Sequence, residues 1–544
     1  MAVATAPARR RSRAPSGWTV VGVAVAALVA GPLVLLPASF IGEADALRQV
    51  GASLLPEALR ASLVLALGVG VGTLALGGTL AALVSFYDFP GRRWLDWALV
   101  LPLAMPAYVL VFVLLGQYDG LLGDVLPEVR STGGAIAVLT LVLYPYVYVL
   151  GRSAFLDQSR ETLEAARTLG HGHAGAIRRV AFPLARPALA AGAALAVMEA
   201  LADFGAVNLL NYRAMTDAIY RVWYGAFDRP AALQLATVLV GLTLTLVALE
   251  RLLRGRARYH GAMARGEAVV PRRLSGIRGA LAPVLPVLLL LGVLGGPVVQ
   301  LIVWGVRSLG DGAVTSTLAR AALNSLLLAT VAALVAVAAA TVLAYGRRAR
   351  PSRVGSAATR LAVLGYAVPG TVVAVAVYTP LAWVDRRLGA LVLTGTVVGL
   401  VLAYVVRFHA LAYFAVEARM GRIDPAVDDA ARGLGADRAR VLSDVHLPLL
   451  WPGIVTAALL VFVEVMKELP ATALLRPLGG DTLAIAVWEA TKDSRFDTAA
   501  LPALLIVAVG LIPVVAMIRL SRADPAALAE LGARHGEDQP QQGR

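Results

Sequence analysis

Apolar residues in this chain fall in long runs. They lie near 18–40, 60–86, 97–117, 134–156, 188–208 and 231–250, then near 279–306, 321–345, 361–384, 388–416, 453–475 and 499–518. Many exceed the roughly 18 residues that carry a helix across a bilayer. The pattern predicts an all-α polytopic membrane protein of about 12 transmembrane helices, six and six. The opening run follows a basic stretch, as in a signal peptide. The run from Trp18 to Phe40 is too long for the apolar core of one and shows no clear small-residue cleavage site. It is expected to stay as the first span.

Composition agrees. Of 544 residues 58% are hydrophobic and 15% charged, against roughly 25% charged in soluble domains. There is no cysteine, which excludes disulfides, thiolate metal sites and cysteine nucleophiles. The net charge of +14 raises the question of nucleic acid, and its distribution answers it. Arg9, Arg10, Arg11 and Arg13 precede the first run. Arg251, Arg254, Arg256, Arg258, Arg265, Arg272, Arg273 and Arg278 fill the mid-chain linker, and Arg347, Arg348, Arg350, Arg353 and Arg360 fill another loop. The intervening loops lean acidic, with Glu43, Asp45 and Glu57, then Asp119, Asp124 and Glu128. Alternation of this kind orients a chain with its basic loops inside, so the partner is the lipid bilayer and no nucleic acid is expected. The pair Arg386–Arg387, in a short outer loop, is the exception. Both termini and the linker are then cytoplasmic: 1–17 is a basic N-terminus, 18–252 a first membrane domain, 253–278 a basic linker, 279–520 a second membrane domain and 521–544 a polar tail.

The two domains share more than their span count. Glu164–Pro187 aligns with Asp429–Pro452 at a constant offset of 265, with 10 of 24 positions identical. Two parallel six-span halves imply a pseudo-two-fold axis along the membrane normal, a natural place for a pathway. In the second copy Asp424 is a good N-cap, Pro425 suits the first helical turn, and Ala430 and Ala431 favour helix. Gly435 can end that helix in the left-handed conformation. A second short helix should come next, with an elbow at Pro448 and Pro452 leading back into the membrane. The first copy repeats this with Gly170, Pro183 and Pro187. Each loop reads as a rigid cytoplasmic knuckle. Ala165, Ala166, Ala430 and Ala431 would allow close approach of a partner, and Glu164 and Asp429 each offer one charge. One copy alone reads as an ordinary loop; two with matched Gly-to-Pro spacing point to a partner that is itself two-fold.

The pattern of Glu164, Ala165, Ala166, three residues, Gly170, and an apolar–Pro pair ending at Pro183 resembles the cytoplasmic signature of permease subunits of binding-protein-dependent ABC importers. Asp429 in place of Glu is a conservative departure. The resemblance covers both halves. It implies the type I importer, MetI-like fold in two homologous six-helix permease domains. It implies that the loops are coupling helices docking on a dimer of ABC ATPase subunits, and that an extracytoplasmic substrate-binding protein delivers the substrate at a bacterial plasma (inner) membrane. "KELPAT", "LLRP" and "DTLA…VW" in the second half and "MEALADFGAVNLL" in the first resemble the fused ferric-iron permeases, with fused thiamine permeases the nearest rival.

No P-loop is present, so this chain is read as a transport subunit without catalytic residues or a bound cofactor, ATP being used by the partner. Gly70 and Gly72 form a loose dinucleotide pattern inside an apolar run, where helix packing explains them better. His171 and His173 are too few for a metal site and read as loop histidines.

At the same offset Glu199 matches Glu464, and Asp203 matches Glu468. Each pair is spaced i, i+4, so both acids are expected on one helix face. Glu199, 12 residues beyond Pro187, lies roughly 18 Å along a helix, near mid-bilayer. Intramembrane carboxylates are costly and usually face a polar interior, and hard oxygen ligands suit hard metal ions. They would line a cation pathway, or else pair with basic residues such as Lys467. A secondary transporter of twelve spans is the rival class, though it would not need duplicated knuckles; a membrane enzyme lacks a catalytic constellation.

Overall fold

The computed structural model describes residues 17–41, 44–117, 128–254, 270–310, 316–349 and 351–522. Among them, ten helices are long and apolar enough to span a membrane, and up to twelve if two bent pairs each count as one span. Those bent pairs are the expected spans 97–117 and 361–384. Arg92–Ala104 turns into Ala107–Gln117 at 89°, and Arg353–Gly365 into Gly370–Leu388 at 119°. The breaks fall at Pro106 and Pro369, where the ring removes an N–H donor and restricts the residue before it. Both halves break at the corresponding place.

Each half is built on three helices. Ala44–Phe86 packs on Thr132–Leu156 and Phe182–Ala202; Ser316–Ala349 packs likewise on Val397–Met420 and Leu447–Met466. Small residues set these crossings. A Cβ at Gly77 would meet the Tyr144 carbonyl, and one at Gly192 the backbone of Val147, the close approach typical of membrane helices.

The halves interlock. The opening helix Gly17–Val34 packs on the second half, against Ser316–Ala349, Arg353–Ala362 and Gly370–Leu388. Gly296–Gly310 reaches back to Ala107–Gln117 of the first, where Trp304 and Phe496 pack on Phe112 with ring centroids 5.5 and 5.7 Å away.

Several boundaries differ from expectation. The 388–416 run is helical only from Val397 to Met420, because Gly389, left-handed at φ 69°, ends the preceding helix. There the exceptional Arg386 and Arg387 occupy the last turn, favourable positions for cations at a helix C-terminus. The 188–208 and 453–475 runs stop being continuous helix at Ala202 and Met466. One short parallel pairing, Tyr87–Asp88 with Arg272–Arg273, stitches the returning linker to the end of the second span. Residues 1–16 and 523–544, most of the linker (255–269), and Glu43, Asp119, Asp124 and Arg350 lie outside the described residues.

Candidate functional site

Both knuckles form as helices, Arg160–Thr168 and Pro425–Gly433. Ser159 caps the first and Asp424 the second, with Pro425 in the opening turn. Gly170 and Gly435 are left-handed, at φ 86° and 88°. In the first loop the Gly170 N–H donates to Arg167 O at 3.0 Å and the His171 N–H to Ala166 O at 3.3 Å; in the second, Gly435 N–H donates to Arg432 O and Ala436 N–H to Ala431 O, both at 3.1 Å. This paired closure of orphan carbonyls past a left-handed glycine is the Schellman motif.

The expected separate helix with a proline elbow does not form beyond either glycine. His173–Ala202 and Arg438–Met466 each run as one span, through a π-helical turn at Ile177–Ala181 and at Val441–His446. Pro183 and Pro448 sit just after that wide turn, in the first turn of the succeeding α-helix. A π turn already interrupts the i→i−4 ladder, so the missing proline donor costs little there.

Of the four alanines, only Ala165 and Ala430 are exposed; Ala166 is buried and Ala431 half-buried. Glu164 and Asp429 are exposed, and each accepts from an arginine on its own helix, Arg160 Nε at 2.6 Å and Arg432 Nη2 at 2.5 Å. Two small residues and two solvated carboxylates, related by the 265-residue repeat, thus face outward on the loops.

The four acids come together. Glu199, Asp203, Glu464 and Glu468 all line one cavity of about 130 Å³ between the halves. They are not on two continuous helix faces, because each helix ends between the members of its pair. Asp203 Oδ1 accepts from the N–H groups of Ala206 and Val207 at 2.9 and 3.1 Å. Glu468 accepts from those of Ala471 and Thr472 at 2.9 and 3.1 Å. These are equivalent positions at the 265 offset, so the second acid of each pair caps the next short helix.

The same cavity holds two cations. Arg407 Nη1 donates to Glu468 Oε1 at 2.7 Å, and Lys467 Nζ lies 2.8 Å from Glu464 Oε1. The lysine pairing was foreseeable at i, i+3; Arg407 was missed, although a lone arginine inside "YVVRFHA" is itself a signal. The positions 265 earlier hold Val142 and Ala202, which also line the cavity. The carboxylates are therefore symmetric and the cations are not. Gly370 belongs to this arrangement, since a Cβ there would run into the Arg407 guanidinium and the Glu468 carboxylate. Tyr108, also missed, lines the cavity with a buried hydroxyl that meets no hydrogen-bond partner among the described residues. A smaller void of about 20 Å³ adjoins Glu199, Arg407, Phe408 and Glu464 as well, so these side chains form a wall shared by two spaces. Among the described residues no group of three or more His, Cys, Asp or Glu is placed to hold a metal ion; His173 instead packs its ring on Tyr87 at 5.2 Å.

Two copies of a membrane domain, each with the same capped loop helix and the same acid-capped helix break, find their match in one family. The pattern of the binding-protein-dependent transport system inner membrane components fits residues 74–259 and again 332–523. This chain belongs to that family. The chain is thus a multi-pass ABC transporter permease, a transport subunit. It is 28% identical over 488 residues to an Fe(3+)-transport system permease protein of Haemophilus influenzae, a match covering 88% of this chain and 93% of that one. A probable molybdenum ABC transporter permease of Haloferax volcanii is 35% identical over 174 residues, 31% of this chain and 64% of its own. The sulfate transport system permease of Salmonella typhimurium is 33% identical over 183 residues, 31% of this chain and 66% of its own.

Proposed function

We propose that this permease imports ferric iron. An extracytoplasmic binding protein would deliver the iron, and a separate ATPase dimer would drive its passage by docking on the Glu164–Gly170 and Asp429–Gly435 loops. Support for iron comes from the extent of the likeness to the Haemophilus Fe(3+) permease, which spans both halves, while the molybdenum and sulfate relatives each match about a third of the chain. The cavity is consistent with a hard cation, since four carboxylates outnumber two cations along its walls. Closure of the ATPase dimer would move the two loops together and switch the cavity from inward- to outward-facing. In this arrangement both termini, the linker and both loops lie in the cytoplasm of a bacterium whose inner membrane holds the protein.

Arg407 and Lys467 favour a second reading, an oxyanion substrate, because both reach the cavity. Uptake into vesicles carrying the permease with its ATPase and binding protein decides between them. ATP-dependent accumulation of labelled ferric iron, undiminished by excess molybdate or sulfate, is expected. Oxyanion uptake without iron uptake would overturn the assignment, and uptake without ATP or an ATPase would return the chain to the class of secondary transporters.

A further inference from the structure

The two coupling loops share sequence and turn geometry, yet different physics fixes them to the membrane domain. At the second loop the anchor is Arg348, on the last turn of Ser316–Ala349. Its Nε donates to Asp428 Oδ2 at 2.8 Å. Its Nη1 donates to the carbonyls of Met420 and Ile423, at 2.9 Å each, and its Nη2 to Asp424 O at 3.2 Å. One guanidinium thereby closes the end of Val397–Met420, the connecting turn and the start of the coupling helix. The other oxygen of Asp428 lies 2.6 Å from Nε2 of His446, whose side chain is wholly buried. The His446 ring packs edge-on against Tyr345 at 5.3 Å, and the Tyr345 hydroxyl donates to Arg438 O at 2.6 Å. Tyr345 in turn packs on Trp18 of the opening helix, 5.0 Å away. The loop is tied to three spans directly and, through Tyr345 and Trp18, to a fourth.

Among the described residues the first loop has no arginine fork or buried acid–histidine pair at the matching places. The positions 265 before Asp428 and His446 hold Leu163 and Ala181, both buried. The second span there ends on Phe86, whose ring packs on Phe155 at 5.1 Å, and Phe155 packs on Phe182 at 5.2 Å. That seat is mostly apolar; its directed bonds are single ones, Gln158 Nε2 donating to Ala181 O at 3.0 Å and the His173 ring to the Phe86 backbone. Apolar contacts are non-directional and allow sliding, whereas four directed bonds from one planar fork do not.

We infer that Arg348, Asp428 and His446 are positioning residues for ATP-driven transport, making the second coupling loop a rigid lever and leaving the first, which lacks the arginine fork, on a more compliant seat. The inference rests on the coupling role proposed above. It requires an arginine: lysine would keep the charge but presents a single point of donors in place of the fork. Burial of Arg348 and Asp428, 15% and 17% exposed, sets this pair apart from the solvated pairs on the loop surface, which contribute little.

The absence of cysteine makes the test direct. Leu169 and Leu434 are equivalent positions, 80% and 91% exposed, and a single cysteine at either takes a spin label without background. In the full-length permease in bilayers, Arg348→Lys is expected to mobilise a label at 434 and leave one at 169 unchanged. In the complete transporter it should lower uptake per ATP hydrolysed by on the order of tenfold, as loss of one or two directed bonds would. Asp428→Asn, which keeps shape and removes charge, reads the same way if the lysine variant fails to insert. An unchanged spectrum at 434, equal loosening at both labels, or wild-type uptake per ATP would overturn the inference. Failure of the coupling role itself looks different: normal uptake in Arg348→Lys and in a variant with both loop glycines changed to valine.

Discussion

Replacing Gly170 and Gly435 by valine isolates the backbone of the two proposed coupling loops. Both glycines are left-handed, and a Cβ at either would have no atom within 4 Å. An added Cβ therefore meets no clash, and the cost considered is the conformational one. Holding a non-glycine residue in that region costs about 1–3 kcal/mol, and β-branched residues are the worst placed there. Loss of glycine's freedom in the unfolded chain returns about 0.4–1 kcal/mol. A net penalty of roughly 1–2 kcal/mol per loop remains, a shift of about 5- to 30-fold against the formed turn. We predict that Gly170→Val/Gly435→Val inserts normally and loses most ATP-driven uptake. Asparagine, which tolerates the left-handed region, should be far milder at both positions. The assay is uptake per molecule of inserted protein, with both double variants side by side. Normal uptake in the valine variant, or equal damage from asparagine, would refute the argument from φ.

Three further outcomes are expected. Glu199→Gln/Glu464→Gln should transport ferric iron less well than either single variant, and non-additively because both acids line one cavity; wild-type specific uptake would remove them from the pathway, and a lower yield alone would mean that Glu464 chiefly neutralises Lys467. A reporter fused after Arg265 should be active only in the cytoplasm, and activity only outside the cell would break the proposed orientation. The Asp428 carboxyl feels opposing influences: partial burial raises it, but hydrogen bonds from Arg348 and His446 and their charges hold it below its ordinary value of 3.8. A depressed carboxyl stabilises the loop above that ordinary value and loses this contribution as pH falls through the folded one. Label mobility at 434 should therefore differ between wild type and Asp428→Asn at neutral pH, and the difference should vanish in strong acid; a difference that grows on acidification would contradict the ion pair.

The class, the two halves and the duplicated loop helices were legible in the sequence alone. Those features are local: apolar length sets a span, charge asymmetry sets its loops, and a capped helix ending in glycine encodes its own turn, so Asp424, Pro425, Gly170 and Gly435 adopt the expected geometry. The pairing of Glu199 with Glu464 at one offset was also legible, because duplication preserves register. What those residues meet was settled by packing. Hydropathy counts 97–117 and 361–384 as spans but does not give the bends of 89° and 119°, since Pro106 and Pro369 permit a break without setting its angle. A spacing of i, i+4 put Asp203 and Glu468 on helix faces, whereas both stand past the helix end and hold the next one by its N–H groups. Arg407 lies 61 residues from Glu468, and Arg348 80 residues from Asp428. No periodicity relates such partners. A buried charge takes whatever counter-charge the packed bundle brings within reach, and that is fixed only when the helices have met.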